Sequence, residues 1–142
     1  MPFIRTYQDQ RQVHYGFHFT LPRIFFSALA QGLEASASNA SGVASAKIWT
    51  TALTSTLAKL YTYTRARPPS RTLVDPLAAF VETIKQGSFA SAVKAAQDAT
   101  EATKTLEAKA GRSAYVGDTL KDKNIPDPGA WGVKIILETL KK

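Results

Sequence analysis

The stretch Arg71-Thr72-Leu73-Val74-Asp75-Pro76-Leu77-Ala78-Ala79-Phe80-Val81-Glu82-Thr83-Ile84-Lys85-Gln86-Gly87-Ser88 encodes a helix together with both of its ends. Asp75-Pro76 reads as N-cap and first helical residue, because an aspartate accepts a free backbone N–H and proline at the first position loses nothing by lacking one. Leu77, Phe80, Val81 and Ile84 recur at three-to-four spacing and form one apolar face. Gly87 is expected at the C′ position, and Ser88 is placed to cap the next helix at once.

Working outward, the same grammar repeats. Phe89, Ala92, Val93, Ala96, Thr100, Thr103 and Leu106 predict a long amphipathic helix ending near Gly111, with Lys94 and Asp98 paired i,i+4 on its wet side. Its small residues favour close packing within one bundle over a partner-binding groove. Asp127-Pro128 repeats the N-cap and N1 signature, and Val133, Ile136, Leu137 and Leu140 complete a final helix whose dipole suits Lys141 and Lys142. Upstream, Pro68-Pro69 forces a loop. Before it, Trp49, Leu53, Thr56, Leu57 and Leu60 predict a helix over about 43–63, preceded by one from Ile24 that carries Phe25, Phe26, Leu29, Ala30 and Leu33. No segment alternates convincingly at period two, so the expected class is all-α, an antiparallel bundle of amphipathic helices. Residues 1–23, with two prolines and no sustained helical period, are expected to be irregular.

Composition sets the outer bounds. A chain of 142 residues suits one domain and buries roughly two thirds of its unfolded surface. The lack of cysteine excludes disulfides and thiolate metal sites. No run approaches the roughly 18 apolar residues of a membrane span, and Met1-Pro2-Phe3-Ile4-Arg5 is no signal peptide, so a soluble, cytoplasmic protein is expected. The net charge of +7 comes from 18 basic residues spread along the chain. Only Arg65 to Arg71 is locally dense and no nucleic-acid-reading motif accompanies it, so neither nucleic acid nor membrane is an expected partner. His14 and His18 stand i,i+4 without a third ligand nearby, which argues against a metal site.

Near the C-terminus, Arg112, several loop amides and the first turn of the last helix fall within a short span, an arrangement suited to an anionic ligand. From the residues alone, a surface ion pair with Glu107 or Asp118 is the better account of Arg112, and simple capping that of Asp127.

Gly111-Arg112-Ser113-Ala114-Tyr115-Val116-Gly117 and Pro126-Asp127-Pro128-Gly129-Ala130, together with Phe25 to Leu33, Arg71 to Leu77 and Glu101 to Lys104, resemble the nucleotide-binding (L) domain of ATP-dependent dihydroxyacetone (glycerone) kinases, those of fungi in particular. The likeness covers residues 24–142, as a partial copy of that domain. It implies a helical barrel that holds ATP at one end, its phosphates bridged by magnesium. Carried onto this chain, it places Thr72 and Leu73 on the adenine or ribose side, Arg112 at the phosphates, and Asp127, Pro128 and Gly129 over the nucleotide.

The family also carries a Gly-Asp-Gly-Asp-x-Gly segment whose aspartates hold the magnesium, and a glycine-serine turn before the helix containing Phe25. Neither is found here, and the resemblance stops abruptly at Arg23, as an altered reading frame, an exon boundary or a fusion would produce. The resemblance therefore implies that the magnesium ligands are missing and assigns no catalytic residue. The domain that binds dihydroxyacetone through a histidine adduct has no counterpart either. The expectation is an ATP- or ADP-binding part of the kinase, inactive by itself, that serves phosphoryl transfer in the complete enzyme or beside a complementing kinase domain. The alternative is a non-catalytic helical protein whose uncovered apolar faces self-associate or meet a partner.

Overall fold

The computed structural model describes the backbone of residues 2–37, 42–110 and 124–141, with side chains from residue 20 onward. The described residues are helical, with no strand: α1 (Pro2–Ala37), α2 (Ala46–Tyr63), α3 (Val74–Ile84), α4 (Phe89–Ala102) and α5 (Pro128–Leu140). The all-α expectation is met. The chain divides into two compact units, residues 1–63 and 64–142.

In the first unit α1 lies along α2. Gly32 sits against Ala52, where an added Cβ would be 3.3 Å from the Ala52 Cα, so a larger residue here would press the two helices apart by a few tenths of an ångström. Phe25 is buried from α1, and Ala52, Leu53, Thr56, Leu57 and Leu60 from α2. Thr56 satisfies its buried hydroxyl by donating to the Ala52 carbonyl at 2.7 Å. Two expectations are corrected. Residues 2–23 are not irregular but form the first part of α1, with Pro22 inside the helix. Proline there removes one backbone bond, at about 3 kcal/mol, yet each further residue fixed adds a bond of its own, and the helix runs through. Trp49, expected on the buried face, is exposed; it lies in the first turn of α2, ahead of the Gly32–Ala52 approach.

In the second unit α3 packs on α4, and both touch α5. Val74, Leu77, Phe80 and Val81 from α3 are buried, as are Ala92, Val93 and Ala96 from α4 and Ala130 and Leu137 from α5. The Phe80 and Phe89 rings meet edge to face, centroids 5.7 Å apart. Ser88 caps α4 as expected, accepting from the Ser91 N–H at 3.2 Å, and the Lys94–Asp98 pair forms. The fourth helix, however, stops at Ala102 rather than near Gly111. Thr103 and Thr105 turn their hydroxyls onto the carbonyls of Thr100 and Ala102, and the backbone N–H groups of 103–105 make tighter i→i−3 bonds. Threonines that bond their own backbone compete with the helix in this way. On α5 the expected face is only partly covered, with Ile136 and Leu140 exposed.

Candidate functional site

The loop from Ser70 to Leu73 is built around one carboxylate. Asp75 was expected as an N-cap, but it lies inside the first turn of α3 and reaches back: Oδ1 accepts from the Ser70 N–H at 2.9 Å and Oδ2 from the Thr72 N–H at 2.7 Å. Leu73, at the formal cap position, has no side chain able to cap. Thr72 does that work one residue earlier, its Oγ1 accepting from the Val74 N–H at 3.2 Å. Thr72 and Asp75 thus form a reciprocal capping box, with aspartate in place of the usual glutamate. The pattern Thr-x-x-Asp was the signal for it. Pro76, the third residue of the helix, makes Asp75-Pro76 a competing start signal.

Arg71 adopts a left-handed backbone, φ 56°. Its side chain is 2% exposed and spans two distant segments, Nη1 donating to the Leu106 carbonyl at 3.1 Å and Nη2 to the Ile125 carbonyl at 3.2 Å. Its Nε is buried without a partner. Nothing in the local sequence marks Arg71 for this role, since a buried arginine and a surface one look alike there.

At the start of α5 the capping expectation holds: the Asp127 carboxylate accepts from the Ala130 N–H at 3.0 Å, with Pro128 at the first position. The Asp127 N–H in turn donates to Thr103 Oγ1 at 2.9 Å, and Thr103 donates to the Thr100 carbonyl at 2.6 Å. Thr100 donates to the Ala96 carbonyl at 2.8 Å. This buried relay ties the cap of α5 to the end of α4.

The two stretches meet at one point. A Cβ built on Gly129 would lie 3.1 Å from Leu73 Cβ and 3.5 Å from the Leu73 nitrogen, so the backbone of Gly129 rests directly on Leu73. Of the site residues expected from the sequence, Thr72 and Leu73 are therefore brought beside Asp127, Pro128 and Gly129. Arg112 lies outside the described residues, as does its alternative partner Asp118. A groove of about 450 Å³ runs between Pro68-Pro69, α3 and α4 past Ala78, Ala79, Glu82, Ala99 and Ala102, and adjoins this loop at Asp75 and Leu106. Its wall is nearly all apolar and offers a phosphate no cation. Among the described residues no three of His, Cys, Asp and Glu gather where they could hold a metal ion.

A family model for the DAK2 domain matches residues 20–142. The chain belongs to the DAK2 domain family. Over 121 residues this DAK2 domain is 40% identical to dihydroxyacetone kinase 2 of Saccharomyces cerevisiae, an overlap of 81% of the chain and 20% of that protein. The dihydroxyacetone kinase of Komagataella pastoris is likewise 40% identical, over 80% of the chain and 20% of the relative. Human triokinase/FMN cyclase is 32% identical over 82% of the chain and 20% of its own length. The chain thus spans about one fifth of the length of each of these three relatives. No solved structure matches it.

Proposed function

We propose that this DAK2 domain is the ATP- or ADP-binding part of a dihydroxyacetone kinase, corresponding to the C-terminal portion of its L domain and acting in phosphoryl transfer from ATP to dihydroxyacetone only within a complete enzyme. One observation carries the reading: Leu73 rests on Gly129 at the first turn of α5, so the two stretches that the family likeness assigns to nucleotide lie side by side. In this proposal Thr72 and Leu73 take the adenine or ribose side. Asp127, Pro128 and Gly129 close over the nucleotide with the amides of the α5 first turn, whose dipole favours an anion. Arg112 supplies a permanent forked donor for phosphate oxygens. The described residues do not fit a magnesium ion, and the chain alone is proposed to be inactive. The proposed compartment is the cytoplasm, where ATP is made and used.

Calorimetry and thermal unfolding with ADP and Mg²⁺, comparing the wild type with Arg112→Ala, test this. A ligand at 100 times its Kd stabilises by about 2.7 kcal/mol, and the expected result is a shift of that order that shrinks sharply in the variant. No shift at millimolar ADP overturns the proposal.

A second reading is favoured by α5 itself, which exposes Trp131, Ile135, Ile136 and Leu140. An apolar face of this kind suits self-association or a complementing kinase domain. Sedimentation of the wild type against Ile136→Glu distinguishes it: a dimer that the glutamate dissolves supports association, and a monomer in both cases removes it for the chain alone.

A further inference from the structure

We propose that Arg71 is the positioning residue of the nucleotide site, holding the Thr72–Leu73 loop and the segment leading into Asp127-Pro128-Gly129 in one fixed register. The proposal rests on the nucleotide reading above and adds a residue to it. Arg71 reaches carbonyls 35 and 54 positions away in sequence, Leu106 and Ile125. Ile125 stands two residues before Asp127, and Leu73 two residues after Arg71. The Leu73–Gly129 contact therefore closes a small ring: from the Arg71 guanidinium to Ile125, along the chain to Gly129, across to Leu73 and back to Arg71. In so short a ring, a displacement of the guanidinium is passed directly to the place where Leu73 and Gly129 touch.

The local chemistry of Arg71 runs against a mere filling role. Its guanidinium is buried against neutral carbonyls, Nε has no partner, and the backbone is left-handed, a region that side chains other than glycine rarely occupy. An apolar side chain would fill the same space without the buried charge or the orphaned Nε, and would bear the same backbone strain. What it would not supply is a rigid planar fork whose two donors fix two carbonyls at once. Lysine, with a single ammonium on a flexible stem, does not reproduce that geometry either.

The test measures ADP binding by calorimetry, with Mg²⁺ present, for the wild type, Arg71→Lys and the control Val93→Ala, which cuts into the buried side of α4 far from this loop in sequence. The expected result is that Arg71→Lys weakens ADP binding at least tenfold. Val93→Ala, although it lowers the unfolding temperature of the free protein by as much or more, should leave the Kd within twofold. Equal affinities for Arg71→Lys and the wild type, or an equal loss in the control, overturn the role of Arg71 while leaving the nucleotide reading intact. Absence of ADP binding by the wild type overturns both. A measurement on the wild type alone covers the case in which Arg71→Lys does not fold: the exchange of the Arg71 Nε proton, followed by NMR, should slow at least fivefold when ADP saturates the protein. An unchanged exchange rate under saturating ADP sinks the proposal.

Discussion

At the scale of single residues, the second unit depends on polar atoms whose partners are few and specific. Thr103 Oγ1 receives the buried Asp127 N–H. Thr103→Val keeps the volume and removes the acceptor, so it is expected to cost about 1–3 kcal/mol, the desolvation of an unpaired donor. Urea denaturation checks this as a lower midpoint at unchanged m. Two glycines of α5 give opposite expectations. Gly132 has no atom within 4 Å of an added Cβ, so Gly132→Ala is expected to stabilise the protein by about 0.5–1 kcal/mol through helix propensity. Gly129→Ala would press its methyl to 3.1 Å from Leu73 Cβ and from the Asp127 carboxylate. It is expected to destabilise by about 1–3 kcal/mol, as overpacking does, and to weaken ADP binding as well. Thermal unfolding and calorimetry on the pair separate the two effects.

At the scale of helices, the ends carry more information than the middles. Asp127 and Ser88 act as the caps their positions predict, because an N-cap needs only a local side chain and amides two or three residues on. Asp75 and the end of α4 were less legible. A Thr-x-x-Asp box and an Asp-Pro start overlap at the same residues, and Thr103, expected on the apolar face of a continuing helix, instead bonds its hydroxyl to the Thr100 carbonyl where the chain turns, as Thr105 does to Ala102. The start of α1 was illegible for a different reason: the aromatic and apolar residues of 1–23 keep no sustained three-to-four spacing, so the helical period is missing from the sequence there.

Between α4 and α5, Lys134 faces Glu101 at 3.6 Å and Glu138 at 3.9 Å, and Lys104 also pairs with Glu101. The Lys104 ammonium, bonded to the Glu101 carboxylate, holds that carboxyl below the ordinary glutamate value, and Lys134 adds to the effect. A folded-state pKa below the unfolded one stabilises at pH above the unfolded value, and that contribution is lost as pH falls through the folded one. Glu101→Gln is therefore expected to lower the unfolding temperature slightly at neutral pH, the two curves converging as pH falls through the folded-state value, so that the variant's acid limb is the flatter one. Because the group is exposed, added salt should shrink the difference.

At the scale of the whole molecule, the site residues that the structure describes all fall in the unit spanning residues 64–142. Hydrogen exchange with and without ADP is accordingly expected to show added protection at residues 70–75 and 127–131 and none in α2. The net charge of +7 is diffuse; a salt titration against a short oligonucleotide is expected to give only weak binding that vanishes at physiological ionic strength. What the amino-acid order determined by itself was whatever rests on neighbours in the chain: the helical class, three of the five helices of the described residues to within a few residues, the caps at Ser88 and Asp127, and the likeness that singled out Thr72, Leu73 and Asp127 to Gly129. What only tertiary structure decided rests on partners tens of residues apart: Gly129 seated on Leu73, Thr103 beneath the Asp127 amide, and Arg71 buried between the carbonyls of Leu106 and Ile125. A carbonyl is present at every position of a chain, so no sequence pattern can say which of them a distant guanidinium will meet; that choice is made when the helices pack.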